Sequence, residues 1–105
     1  MTIRKLIGDV ADDGWDMADV QAVLPEKVHR HFRPAFEGSL DAAKAMHDAL
    51  LPGWIFDITN GSAFVMPLWD EPHTELPDQY VGEDDVDARA WLLAILRAME
   101  GGRDG

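Results

Sequence analysis

A chain of 105 residues with 20 acidic side chains against nine basic ones has a formal charge of −11, which repels nucleic acid and anionic membrane at long range and attracts basic proteins. It has no cysteine, which excludes a disulfide framework and thiolate chemistry and fits a reducing cytoplasm. Apolar residues make up 47%, enough for a modest core, so one folded domain is expected rather than a disordered chain.

The first nine residues hold no apolar run of the signal-peptide kind, and the longest uncharged run, 58–69, is too short to cross a bilayer. A cytoplasmic location is therefore expected. Thr2 can cap a short helix with Ile3, Leu6, Ile7 and Val10 on one face, ended by Asp12-Asp13-Gly14. Asp16 can cap a second through Met17, Val20 and Leu24, stopped by Pro25. Within 1–25 neither helix is long enough to stand alone, so both must dock on the rest. From Glu26 to Gly38, Val28, Arg30 and Phe32 alternate with His29, His31 and Arg33. That pattern reads as a strand or an irregular crossing, and Pro34 and Gly38 mark a loop after it.

The stretch 39–69 organises the chain. Ser39 is a good N-cap, Asp41 suits the positive end of a helix dipole, and Ala43, Met46 and Leu50 recur at helical spacing. Pro52-Gly53 stops that helix. Two strand-like runs then flank Asn60-Gly61, the pair a type I′ turn favours because both turn residues need positive φ. A two-residue loop sets Thr59 opposite Ser62, Asp57 opposite Phe64 and Phe56 opposite Val65. Alternation puts Trp54, Phe56, Ile58, Ala63, Val65 and Trp69 on a wholly apolar face that must be covered. The other face, with Ile55, Asp57, Thr59, Ser62, Phe64, Met66 and Leu68, is mixed. Pro67 lacks an N–H, which argues for an edge at that end of its strand.

An acidic loop with Pro72, Pro77 and Gly82 follows, with a short third strand around Gln79-Tyr80-Val81. Between residues 70 and 87 the chain carries eight carboxylates and no Lys or Arg. Asp84 or Asp85 caps a last helix to about Glu100, apolar nearly all round and so mostly buried, with Gly101-Gly102 as its stop and a disordered tail, 101–105. The fold class read from this pattern is α+β: a hairpin with a third strand, packed against helices.

Phe36-Glu37-Gly38-Ser39-Leu40-Asp41-Ala42-Ala43, then Pro52-Gly53-Trp54 before a hairpin, then the run from Ala88 to Ala98, resemble the small phage and prophage proteins of the phage ABA-sandwich type. Those carry a Ser-Leu-Asp-Ala-Ala helix start, a Pro-x-Gly-Trp step into strands and a closing Ala/Leu-rich helix. The resemblance covers 36–98. It departs where that family usually has Thr-Pro and this chain has Asp85-Val86-Asp87. It implies a phage origin and helices on a small antiparallel sheet. It implies no activity.

Catalytic and metal motifs are weak. His29-x-His31 offers two imidazoles, but a site needs a third ligand, for which only Glu37 and His73 are conceivable; surface histidines among bases are the ordinary reading. Asp85-Val86-Asp87 fails as a calcium loop, because Arg89 and Ala90 stand where a ligand and a glycine belong. There is no nucleophile elbow and no phosphate loop. Neither an enzyme nor a cofactor is expected. Lys27, Arg30 and Arg33 form a basic island expected to pair with the chain's own acids. The acidic clusters are the sharpest lead. Asp70, Glu71, Glu75, Asp78, Glu83, Asp84 and Asp85, with Asp12, Asp13 and Asp16 second, are the candidate partner-binding residues. The expected partner is a host protein with a basic surface, with no direct contact to nucleic acid or membrane. The role expected is that of an anti-CRISPR-like or DNA-mimic inhibitor, and the alternative is a phage accessory that self-associates through Ile55, Phe64, Met66 and Leu68.

Overall fold

The computed structural model describes residues 2–67 and 79–102. In chain order they form α1 (Ile3–Ala11), α2 (Met17–Val23), a 3-10 turn (Glu26–Val28), α3 (His29–Phe36), α4 (Leu40–Leu50), β1 (Ile55–Thr59), β2 (Ser62–Met66), β3 (Tyr80–Glu83) and α5 (Asp87–Gly102). The expected α+β class is what is found. The sheet is antiparallel, in the order β1-β2-β3. Helix α5 lies against all three strands, and α1, α3 and α4 lie against α5.

The local chemistry explains the helix starts. Thr2 accepts a hydrogen bond from the Lys5 N–H at 3.2 Å, and Ser39 from the Ala42 N–H at 3.1 Å. Asp16 and Asp19 cap α2 reciprocally, each carboxylate taking the other's backbone N–H. The stripe Ile3, Leu6 and Val10 is buried and fixes which side of α1 faces inward.

The hairpin has the register that a two-residue Asn-Gly loop dictates, Thr59↔Ser62 through Ile55↔Met66. Asn60 and Gly61 both have positive φ, 44° and 83°. On the inner face Ala63 and Val65 are buried, while Phe56 stays 40% exposed because β1 is an edge strand. Gly82 of β3 lets α5 come closest. A side chain there would run into the Ala90 carbonyl and stand 2.6 Å from the Ala94 nitrogen.

Two sequence expectations need correction, and two are sharpened. Residues 26–36 are helical, not a strand or a crossing, and a turn at Gly38 follows. Val28, Phe32, Ala35 and Phe36 are buried at a period near 3.6, and Pro34 sits in the last turns of α3, where the only N–H it withholds is one that would have bonded to Arg30. β2 is central, but its Pro67 end is edge-like, as expected: among the described residues its pairing with β3 runs only to Val65↔Tyr80, short of the residue that lacks an N–H. Gly101-Gly102 does not stop α5. The helix runs through both, and Gly101 is there because any side chain would strike the Tyr80 ring. Of the two residues expected to lead into α5, Asp84 or Asp85, it is Asp84 whose carboxylate accepts the Val86 N–H at 2.9 Å.

Candidate functional site

Pairing of Ser62 with Glu83 brings the end of β3 to the hairpin tip. The Asp84 N–H donates to the Gly61 carbonyl at 2.9 Å, and the Gly61 N–H donates to Asp87 Oδ1 at 2.8 Å. The tip is thus fastened by one hydrogen bond to Asp84, just after β3, and by another to Asp87, the first residue of α5. A side chain on Gly61 would stand 2.7 Å from the Asp84 carbonyl oxygen, so only glycine allows this approach.

The result is a shallow concavity of about 600 Å³ lined by Asn60, Gly61, Glu83, Asp84, Asp85 and Asp87. Four of the six lining residues are acids. Among the described residues, Asp84 is the one with a cationic partner, Arg89 Nη1 at 3.6 Å. Arg89 is itself committed elsewhere: its Nε donates to the Phe36 carbonyl at 3.0 Å and its guanidinium stacks 4.0 Å over the Phe36 ring. Among the described residues, Glu83, Asp85 and Asp87 form no ion pair. Asp85 and Glu83 are exposed.

A second acidic group, Asp12, Asp13 and Asp16, is exposed at the turn between α1 and α2. Nearby, the Lys5 ammonium is hydrogen-bonded to Asp9 at 3.0 Å; that bond and charge hold its pKa above the ordinary lysine value, with smaller contributions from Asp19 and Asp16. Trp15, one residue before Asp16, meets Phe32 and Phe36 edge-on at 4.6 and 5.3 Å. Phe36 in turn carries Arg89, which reaches Asp84. The two acidic groups are therefore linked through a chain of side chains in contact, Trp15, Phe36 and Arg89. Asp70, Glu71, Glu75 and Asp78 lie outside the described residues.

The basic island does not pair with the chain's acids among the described residues. The four ion pairs there are Arg4–Glu100, Lys5–Asp9, Lys44–Asp48 and Arg89–Asp84. Arg33 stacks 5.1 Å over Trp15 instead, and Arg30 Nε points to His31 Nε2 at 3.4 Å. The helical geometry of α3 also separates the two histidines by about 200° around its axis. His29 Nε2 bonds to the Leu24 carbonyl at 2.7 Å. Among the described residues no three side chains are grouped to hold a metal, and His73 lies outside them.

Sequence reasoning missed Asp87, Arg89 and the tip residues Asn60 and Gly61 as parts of this site. The spacing of Asp84 and Asp87, three apart at a helix start, was a usable signal. The approach of the hairpin tip was not, because it depends on β3 pairing with a strand that ends more than ten residues earlier in the sequence. No family model, curated protein or solved structure matches the chain.

Proposed function

We propose that this chain is a non-enzymatic binding protein that presents its carboxylates to a basic protein surface, one that otherwise grips nucleic acid. The observation that carries the reading is the gathering of Glu83, Asp84, Asp85 and Asp87 around one concavity where, among the described residues, the one arginine paired with them is already engaged elsewhere. Carboxylates left without counter-charge keep a field that steers a cationic partner, whereas paired ones do not. With the phage-type resemblance of residues 36–98, the proposed partner is a host nucleic-acid-binding defence complex, occupied in the manner of an anti-CRISPR or DNA mimic inside the host cell.

The test is capture of such complexes from host lysate with the intact chain and with a variant neutralised at Asp12, Asp13, Glu83 and Asp85, followed by competition with duplex DNA. Binding should weaken at least about ten-fold between low and physiological salt, fall with the variant and be displaced by DNA. Binding indifferent to salt and to these substitutions defeats the reading.

A second reading rests on the outer sheet face. Ile55 and Val81 are 41% and 38% exposed there, on either side of Phe64. Met66, on the same face, is buried and so is not available to a partner, and Leu68 lies outside the described residues. A homodimer dispersed by Phe64→Asp in sedimentation would favour this face over the acidic one.

A further inference from the structure

The hairpin tip carries a chemistry separate from binding. Asn60 is exposed at positive φ, and Gly61 offers no side chain to shield the peptide nitrogen between them. We propose that Asn60-Gly61 is a spontaneous deamidation site that the fold holds shut through Asp87. In the reaction the Gly61 peptide nitrogen gives up its proton and attacks Asn60 Cγ. The N–Cγ bond forms, the Cγ–Nδ2 bond breaks, and ammonia leaves with a proton. Water then opens the five-membered imide at either carbonyl, leaving an aspartyl or an isoaspartyl residue at position 60. The net change is amide plus water to carboxylate plus ammonium, so no oxidant or reductant is needed.

Four features of the folded tip oppose the attack. The proton on the attacking nitrogen is donated to Asp87 Oδ1 at 2.8 Å. A carboxylate is far too weak a base to remove that proton, so the bond stabilises the unreactive form. The Gly61 carbonyl is held from the other side by the Asp84 N–H. A type I′ turn also keeps the Asn60 ψ away from the arrangement in which the nitrogen lies over Cγ, so the turn must open before the ring can close. Lastly, a developing nitrogen anion would sit beside Glu83, Asp84, Asp85 and Asp87, which repel it.

The consequence falls on the same concavity. Either product adds a carboxylate to its four, and the isoaspartyl product also lengthens a two-residue loop that sets the Thr59↔Ser62 register. Opening of the tip would thus be recorded as a permanent change of charge and of turn geometry.

Peptide mapping for aspartate and isoaspartate at position 60, at mildly alkaline pH, tests this on the full chain. Folded wild type should react on the order of ten-fold or more slowly than the same chain in urea, and Asp87→Ala should recover most of the difference, as loss of a hydrogen bond to a charged acceptor implies. Ser39→Ala, which loosens a helix cap in another part of the fold, should react like wild type. The proposal is overturned if folded and denatured chains react alike, or if Asp87→Ala is no faster than Ser39→Ala. Should Asp87→Ala not fold, hydrogen exchange of the Gly61 amide in wild type decides. Strong protection supports the clamp, and exchange at the free-peptide rate sinks it.

Discussion

At the scale of single residues, two positions carry constraints out of proportion to their size. His47 is 1% exposed, and both ring nitrogens are engaged. Trp91 Nε1 can only donate, and it lies 3.3 Å from His47 Nδ1, so the ring proton sits on Nε2 and is donated to the Trp54 carbonyl at 2.9 Å. The imidazole thereby ties α4 to α5 and to the strand entry. Phe56 closes the cluster, stacked at 4.5 Å on Trp91 and edge-on at 4.9 Å to the histidine. His47→Leu keeps the volume but strands a buried indole N–H and a carbonyl. It should cost about 2–4 kcal/mol in urea unfolding, with His47→Gln losing less because it supplies both a donor and an acceptor. Gly82 is the second position. The Cβ of Gly82→Ala would meet the α5 backbone and stand 2.8 Å from Leu93 Cβ. Backbone cannot swing aside as a flexible side chain can, so a loss at the upper end of overpacking, about 3 kcal/mol, is expected in the same measurement. An unchanged midpoint would mean that α5 can move away from β3 at little cost.

At the scale of elements, the link from α3 to α4 shows how much the residues themselves specify. The Gly38 N–H donates to the Ala35 carbonyl at 3.2 Å and the Ser39 N–H to the Pro34 carbonyl at 2.9 Å, the paired bonds of a Schellman motif with Gly38 at φ 118°. Ser39 then caps α4 in the next step, so two residues end one helix and start another. Ser39→Ala should cost about 1 kcal/mol by thermal or chemical unfolding, the usual worth of an N-cap hydroxyl. Elements closed by chemistry of this short range were readable from the sequence: the start and stop of α4, the hairpin register and the caps of α1 and α2. The strand at Tyr80–Glu83 was readable to within two residues. Helix α3 was not, because Pro34 and the alternation around His29 and His31 imitate an extended segment while the decisive signal, Val28, Phe32 and Ala35, shows only once a helical period is imposed. The site suffered similarly. The acids of 83–87 were visible as a charge run, but their meeting with Asn60 and Gly61 is a tertiary event. The run of α5 through Gly101 was hidden for the same reason, since the glycine answers to Tyr80 and not to a helix end.

At the scale of the whole molecule, charge is the dominant fact, and it divides the carboxylates into two kinds. Some hold the fold: Asp84 takes the Val86 N–H and faces Arg89, and Asp16 and Asp19 cap α2. Others, Glu83 and Asp85 first among them, form no ion pair among the described residues and add to the self-repulsion of a chain at −11. The two kinds respond with opposite sign. Asp84→Asn weakens a charge-assisted bond at a helix entry and should destabilise by about 1 kcal/mol. The pair Glu83→Gln and Asp85→Asn should leave stability within about 0.5 kcal/mol of wild type or raise it, since it removes repulsion and no ion pair among the described residues. Added salt should act on the isolated chain in the same direction, lifting its thermal midpoint by screening like charges. On a cationic partner, however, both the double substitution and the salt should weaken binding. Stability and affinity that move in opposite directions under the same change are the signature of acids kept for something other than the fold. Thermal unfolding and titration of a captured partner, run over one salt series, read both. If the double variant loses stability, the acids are structural, and an acid-presenting role no longer follows from their placement.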